Sequence, residues 1–496
     1  MQHDLEQKTE GRRNTALFCC FALALLVMKF FFHEFWKDEW QAWFVATDTH
    51  SLRDLWDMLP VEGHPVLYFL FLRFVHFLNQ LLAPALRPEY AFQIANAILT
   101  LASAWIFFRK FRYPFAVKLI LGFSYFFFFE YGVLNRGYAL VILLLFMLVP
   151  YLEKPREHLL RIGFLLFLLT QTEIYGLFAA GAVLFWLMWY FIGTDDHPLS
   201  PAKFFLLASF LGGLVLFVLS LLPSEGVSAL KTEQETGLLS CFTFLFSHTL
   251  SIGLDPPPPT SASTSFSIVS LLLSIVLLSL IVVVMKKSIR WMVSYGLFLV
   301  CLLVFHTWVY KGGPRQWGMH FVFLLFVLNF IPLAKSQLNS YVAGIALAAL
   351  VGLGQFTYAV RISVMEKKYL FSNAIETGHY IRQTISPDAP VIGINKAFCT
   401  PVIGYCNHKC FSLPDEKLFS YSMFREKVYM PSEKEIFSFL NKNRFTEGYV
   451  LSYKPLNASL FPDLVLLRAF DKPSIREENY YLYKVNPIVE KGRGNQ

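Results

Sequence analysis

Apolar runs of roughly 17 to 25 residues recur through the first three-quarters of this 496-residue chain, the length a helix needs to cross the hydrocarbon core of a bilayer. They make the chain a mainly α, polytopic membrane protein before any motif is read. Composition agrees: 55% of the residues are hydrophobic, 52 are Phe, and only 16% are charged. After about Arg361 the chain turns polar, with Pro, Gly, Asn and charged residues alternating. Residues 362–496 therefore read as a small C-terminal α/β soluble domain behind a transmembrane domain of 1–361.

The net charge of +8 does not call for nucleic acid, because Lys and Arg in a membrane protein mark the cytoplasmic side. Lys8, Arg12 and Arg13 precede the first run, about 15–33, and no small-residue cleavage site follows it. It reads as a signal anchor with a cytoplasmic N-terminus. If 64–82 and 89–108 were both full spans, Arg109, Lys110, Arg112 and Lys118 would fall on the outer face, against the positive-inside tendency. Segment 64–82 also carries Arg73, His76, Asn79 and Gln80 down one helical face. It is read as a helix lying on or dipping into the membrane, within an outer loop of 34–88.

Spans near 89–108, 117–134, 138–152, 159–172, 174–192, 204–222, 265–285, 291–309, 319–334 and 340–360 then bring the total to about 11 transmembrane helices. Lys154, Arg156, Arg161, Lys203, Lys286, Lys287, Arg290 and Lys335 become cytoplasmic, and the soluble tail emerges outside. The tail shows a helical start near Ser372 to Thr384, a strand at Pro390 to Ile394, an element at Thr400 to Tyr405, a helix at Ser432 to Asn443, and strands at Tyr449 to Leu451 and Tyr480 to Val485.

The same register gathers the other polar clusters on the outer face. They are Asp38-Glu39, His64-Pro65, Asn135-Arg136-Gly137-Tyr138, Gln171-Thr172-Glu173, the loop from about 223 to 264, and Tyr310 through His320. Ionisable groups at the bilayer are functional-site hypotheses by default. Blander readings stand beside them. Asp38-Glu39, with Trp36, Trp40, Trp43 and Trp56, also reads as an interfacial loop with its tryptophans at headgroup level. Glu173 also reads as a turn residue facing water, and His64-Pro65 as the start of the interfacial helix. Arg136 sits in a connection of only a few residues and could hold an anion there. In Gly312-Gly313-Pro314-Arg315 the backbone can approach a ligand closely, and Arg315 with His320 supplies donors suited to phosphate oxygens. The loop 223–264, with Glu225, Lys231, Glu233, Glu235, His248 and Asp255, is long enough to be mobile, and substrate gating is one reading of it.

No Gly-rich nucleotide loop is present, and no inverted repeat with paired broken helices is visible. Of the 7 Cys, Cys399, Cys406 and Cys410 share the tail. With His408 they match a closed zinc site weakly; one disulfide in an oxidising compartment, leaving the third thiol free, is the preferred reading.

Asp38-Glu39 after the first span, followed by Gly63-His64-Pro65-Val66-Leu67-Tyr68, resembles the acidic pair and His-Pro-Pro-Leu-like motif of the GT-C fold glycosyltransferases. That superfamily includes the protein O-mannosyltransferases and the lipid A aminoarabinose transferase. The resemblance covers roughly residues 15–380, is specific in the first 140, and departs from the usual pattern at Val66, where a second proline is common. It implies an extracytoplasmic enzyme that uses a polyprenyl-phosphate or pyrophosphate sugar.

The chemistry of such a transfer gives each residue an expected role. Asp38 is the base for the acceptor hydroxyl, with Glu39 the alternative. Arg136, Arg315 and His320 hold the donor phosphate, while His64, Tyr138 and Glu173 position substrate. A divalent metal, Mg or Mn, beside Asp38 and Glu39 stays open, since no dedicated cage is visible. The expected partners are the polyprenyl-phosphate-linked donor, a lipid, glycan or protein acceptor, and the membrane, here a bacterial inner (plasma) membrane. A lipid-linked glycan transporter or flippase, and a surface-polysaccharide polymerase or ligase, remain as alternatives.

Overall fold

The computed structural model describes residues 2–192, 200–222, 237–250, 268–331, 338–413, 415–423 and 429–485. The chain divides into two compact units. One comprises Met1–Phe31, Trp56–Pro256 and Ser261–Val364; the other contains Phe32–Leu55 and Met365–Gln496. The stretch that carries Asp38 and Glu39 therefore folds with the C-terminal region.

The first unit is helical. Seven described helices are long and apolar enough to cross a membrane: Thr9–Phe32, Pro88–Lys110, Ile174–Ile192, Pro201–Leu221, Ile268–Met285, Ile289–Trp308 and Val342–Lys368. An eighth span results if Phe115–Gly122 and Tyr125–Val133, bent by 43°, are counted together. Among the described residues the count of 11 is thus not reached, although each expected run coincides with a helix. Tyr138–Leu152 and Leu159–Thr170 have 15 and 12 residues, which at 1.5 Å per residue fall short of a ~30 Å core. Hydropathy alone also misses the break in 117–134, where Ser124 caps the next helical stretch by accepting from the Phe127 amide at 3.4 Å. Segment 64–82 forms a 17-residue apolar helix, Val66–Leu82.

Within the loop expected at 223–264 the described residues hold a helix instead, Leu238–Thr249, with Cys241, Leu245 and Phe246 fully buried. Glu225, Lys231, Glu233, Glu235, Asp255 and Lys335 lie outside the described residues.

Contacts inside this unit join the loops into two sets. Arg112 pairs with Glu153 at 2.8 Å, and its amide donates to Asn329 at 2.8 Å. The second set includes Lys29 with Asn135, Leu67 with Gln171, and His64 with Glu173. The Tyr138–Leu152 helix separates the two sets by about 22 Å.

The second unit is built on a six-stranded mixed sheet: β1 Val391–Gly393, β2 Cys410–Ser412, β3 Lys417–Phe419, β4 Gly448–Ser452, β5 Leu464–Phe470 and β6 Tyr480–Val485, in the order β3-β2-β1-β4-β6-β5. β1 is parallel to β2 and β4, and the remaining pairs are antiparallel. The helix Glu433–Lys442 closes one core through Ile436, Phe437, Phe439 and Leu440 against Ile392, Val450 and Tyr483. A capping box starts it: the Ser432 amide donates to Glu435 at 2.7 Å and the Glu435 amide donates to Ser432 Oγ at 3.4 Å. Thr400 to Tyr405 lies inside the helix Lys396–Cys406, and β2, β3 and β5 add to the strands expected from sequence.

Candidate functional site

Five of the expected site residues converge in the first unit. His64 Nδ1 meets Glu173 Oε2 at 2.6 Å; the imidazole is partly exposed and the carboxylate almost fully buried. Gly137 lets this pair approach the neighbouring loop, since a Cβ there would stand 2.7 Å from Glu173 Oε1 and 3.3 Å from the Tyr68 ring. The next residue, Tyr138, is buried, and its hydroxyl lies within electrostatic reach of Glu173, Arg315, Arg136 and Tyr310. Tyr131, Tyr138 and Tyr175 form a chain of rings at 5.2 and 6.1 Å, and the Tyr131 hydroxyl donates to the Arg315 carbonyl. Arg136 and Arg315 are half-buried at this cluster.

Local sequence explains how these groups are presented. Arg315 occupies the first turn of the helix Pro314–Leu328, where proline is suited to start and unpaired amides create a positive end. Gly312 adopts φ +70, and a Cβ there would lie 2.7 Å from the His306 ring, so both the backbone and the space require glycine. His306 stacks on Trp317 at 4.0 Å and donates from Nδ1 to the Tyr310 carbonyl at 2.8 Å. The turn 310–313 is fixed between these rings.

His320 does not join the cluster. It is fully buried, and its two ring nitrogens engage Thr249 Oγ1 at 2.6 Å and Tyr295 Oη at 2.5 Å. Five residues along a helix rotate a side chain about 140° from the starting face, and His320 is engaged there by Thr249 and Tyr295.

Sequence reading missed Lys29. It lies in the first apolar run, is completely buried, and donates from Nζ to Val133 O and Asn135 Oδ1 at 2.8 Å each and to Asn96 Oδ1 at 3.0 Å. Asn96 in turn donates to the Arg136 carbonyl at 3.4 Å. A charge inside an apolar run was the available signal. Lys29 holds the backbone from which Arg136 projects.

In the second unit, Asp38 and Glu39 stand in the first turn of the helix Lys37–Asp48 but in different surroundings. Glu39 is fully buried; His33 Nε2 lies 2.9 Å from Oε1 and 3.1 Å from Oε2, and the Trp36 amide donates to Oε2 at 3.2 Å. The other nitrogen of His33 meets Glu366 at 2.7 Å. Burial alone would lower the pKa of His33, but Glu39 and Glu366 together outweigh it and the value is raised to about 9. Glu34, half-buried beside them, is pushed up to about 7 by partial desolvation, although it accepts from the Ser372 and Phe371 amides. Asp38 is half-buried, within electrostatic reach of the buried Glu478. Burial pushes Glu478 up to about 7, and Ser372 Oγ donates to it at 2.7 Å.

Of the four tryptophans expected at headgroup level, Trp36, Trp40 and Trp43 are buried in this unit, whereas Trp56 is half-buried and belongs to the first; Trp40 packs over Gly404 and edge-on to Tyr405 at 5.4 Å. The Phe35 amide donates to Tyr405 Oη at 2.6 Å, Ser420 Oγ to Asp48 at 2.6 Å, and the Ser422 amide to Gln41 at 3.0 Å. The helix bearing Asp38 is therefore fastened along its length.

Among the described residues no group of three or more His, Cys, Asp or Glu could hold a metal ion. Asp38 and Glu39 do not fit one as a pair. Consecutive helical residues point about 100° apart, and both Glu39 oxygens are already engaged.

No family model matches the chain, and no curated protein matches it. Among solved structures, ArnT from Cupriavidus metallidurans in the apo state is similar with a TM-score of 0.50 at 11% identity, covering 95% of this chain and 97% of that chain. The same protein bound to undecaprenyl phosphate gives a TM-score of 0.48 at 11% identity with the same coverage. At that identity the likeness speaks for the fold alone. The chain has a GT-C-like, ArnT-type membrane fold.

Proposed function

We propose that this chain is an inverting membrane glycosyltransferase. It moves a sugar from a polyprenyl-phosphate-linked donor to a lipid, glycan or protein acceptor at the extracytoplasmic face of a bacterial inner membrane, with the N-terminus cytoplasmic and the C-terminal domain outside. The observation that carries this reading is the cluster in the first unit: Arg136 and Arg315 around buried Tyr138 and the His64–Glu173 pair. A half-buried pair of guanidinium groups suits a phosphate with its several acceptor oxygens, and the partly exposed His64 imidazole can reach a sugar hydroxyl. The GT-C-like fold supports the same class.

In this reading Arg136 and Arg315 grip the lipid phosphate and stabilise the charge that grows on it, without His320. His64, Tyr138 and Glu173 orient the sugar. The acceptor hydroxyl attacks the anomeric carbon from the side opposite the phosphate, the carbon–oxygen bond to phosphate breaks, and the configuration inverts. Asp38 takes the hydroxyl proton, a role typically worth ~10²–10⁴-fold. Glu39, committed to His33 and the Trp36 amide, holds the segment in place.

Mass spectrometry of detergent-purified protein should find a co-purifying lipid-linked sugar, and added polyprenyl phosphate should bind in native spectra. Absence of both would overturn the reading. Orientation is tested by impermeant thiol labelling of intact cells: Asp471→Cys should react and Arg112→Cys should not, both positions being exposed on the protein. Reaction at Arg112→Cys would reverse the orientation.

A further inference from the structure

The three tail cysteines are buried and differently placed. Cys399 stands in the first turn of the helix Lys396–Cys406, and Cys410 opens β2. Both press on one point above β1: a Cβ on Gly393 would lie 2.9 Å from Cys399 Sγ and 3.2 Å from Cys410 Cβ. The Cys399 thiol faces the Ile394 and Leu451 carbonyls only at 3.7 and 3.9 Å, and lies close enough to the Cys410 thiol for the two to interact. Cys406 lies two turns further along the helix, about 10 Å from Cys399 and beyond the reach of a disulfide to it. Its thiol faces the Ile403 and His408 carbonyls at 3.8 and 3.6 Å.

We propose that Cys399 and Cys410 are joined by a disulfide in the mature protein and that Cys406 stays a free thiol. The bond requires the extracytoplasmic placement of this unit proposed above, and the Asp471→Cys labelling reads that placement separately. The two thiols give up two electrons and two protons to the disulfide of a thiol–disulfide exchange partner, which leaves as a dithiol; a mixed disulfide is the intermediate. In the folded unit the Cys399 contact and burial hold the Cys410 thiol well above its usual range, so the thiolate needed for attack is scarce. Exchange therefore belongs to folding, before the helix closes over β1.

The bond staples to β2 the helix on which the Asp38 segment rests. Gly404 and Tyr405 of that helix carry Trp40 and the Phe35 backbone.

The test traps membranes with N-ethylmaleimide in denaturing detergent and digests them without reduction for mass spectrometry. The expected product is one pair of peptides joined through Cys399 and Cys410, in the wild type with Cys406 alkylated and in Cys406→Ser with no alkylated thiol among the three positions. Three alkylated thiols in the wild type, or any bridge that contains Cys406, would overturn the proposal. The decision rests on wild-type protein, so a folding defect in Cys399→Ser or Cys410→Ser does not obscure it.

Discussion

The polar cluster of the first unit and the one around His33 in the second handle charge in different ways. Arg136, Arg315 and His64 are only partly buried, and glycines at 137 and 312 bring the backbone of their loops close to the neighbouring side chains. His33, Glu39 and Glu366 are wholly enclosed, and His33 meets a carboxylate oxygen of each at 2.7 to 2.9 Å. The first arrangement keeps charge where a ligand can meet it; the second uses charge to hold chain segments 333 residues apart. The adjacent acidic residues differ in burial, Asp38 half-buried and Glu39 enclosed.

The sharpest test separates those neighbours. Asp38→Asn should leave folding intact, retain donor binding and lower turnover by roughly two to four orders of magnitude. Glu39→Gln should instead destabilise, because breaking a buried ion pair typically costs ~3–5 kcal/mol. Turnover and thermal unfolding measured on both variants decide it: near-normal transfer by Asp38→Asn would break the assignment of roles.

The enclosed cluster also predicts a pH dependence. A histidine whose pKa rises from 6.5 to about 9 on folding contributes stability that is fully present below pH 6.5 and is lost as pH rises through about 9. The contribution is on the order of 3 kcal/mol. Glu34 and Glu478, raised from 4.5 to about 7, add a loss of the same sign between those values. Denaturant unfolding of the second unit should therefore weaken from pH 6.5 to 9 in the wild type, and His33→Gln should flatten that range alone.

The open cluster answers to substitution through its ligand. Arg315→Ala should weaken polyprenyl-phosphate binding by ~10–100-fold, the worth of a charge-assisted hydrogen bond. Arg315→Lys should recover only part of it, since lysine offers a point charge in place of a planar fork. Unchanged affinity in the alanine variant, measured by titration, would assign Arg315 to holding the Tyr131 hydroxyl through its carbonyl.

The open cluster was legible in sequence and the enclosed one was not. Loops bearing Arg136, Glu173 and Arg315 declare themselves because each interrupts apolar runs, and the positive-inside tendency sends them to one face. His33 looked like an ordinary flank of the first span, and its partner Glu366 sits at the end of the last long helix, with no local pattern to link them. The burial of His320 against Thr249 and Tyr295 does not show in sequence, because those partners come from distant helices. The tail's helices Ala374–Thr384 and Glu433–Lys442 show by their period, whereas Lys396–Cys406, with Pro401 inside it, does not, and β2 and β3, at 3 residues each, are too short for alternation to register. Span counting from hydropathy does not see a cap such as Ser124 or a helix of only 12 residues.

The smallest effect probes the geometry of the open cluster most finely. Gly137 has φ −57 and ψ −21, ordinary for any residue, so Gly137→Ala strains no backbone. Its new methyl would instead stand 2.7 Å from Glu173 Oε1, closer than such contacts allow, and the buried carboxylate would have to shift. The 2.6 Å contact between Glu173 and His64 would lengthen or break, while the Tyr68 ring 3.3 Å away limits any movement of the methyl. Stability should change by about 1 kcal/mol or less, because the displaced atom is the end of a side chain. Donor KM should rise several-fold with turnover nearly constant if His64 and Glu173 position the sugar. Gly212→Ala, which meets nothing within 4 Å, is the control and should leave both constants unchanged. A KM unaffected by Gly137→Ala would remove the pair from substrate positioning and leave it as a contact that merely joins two loops.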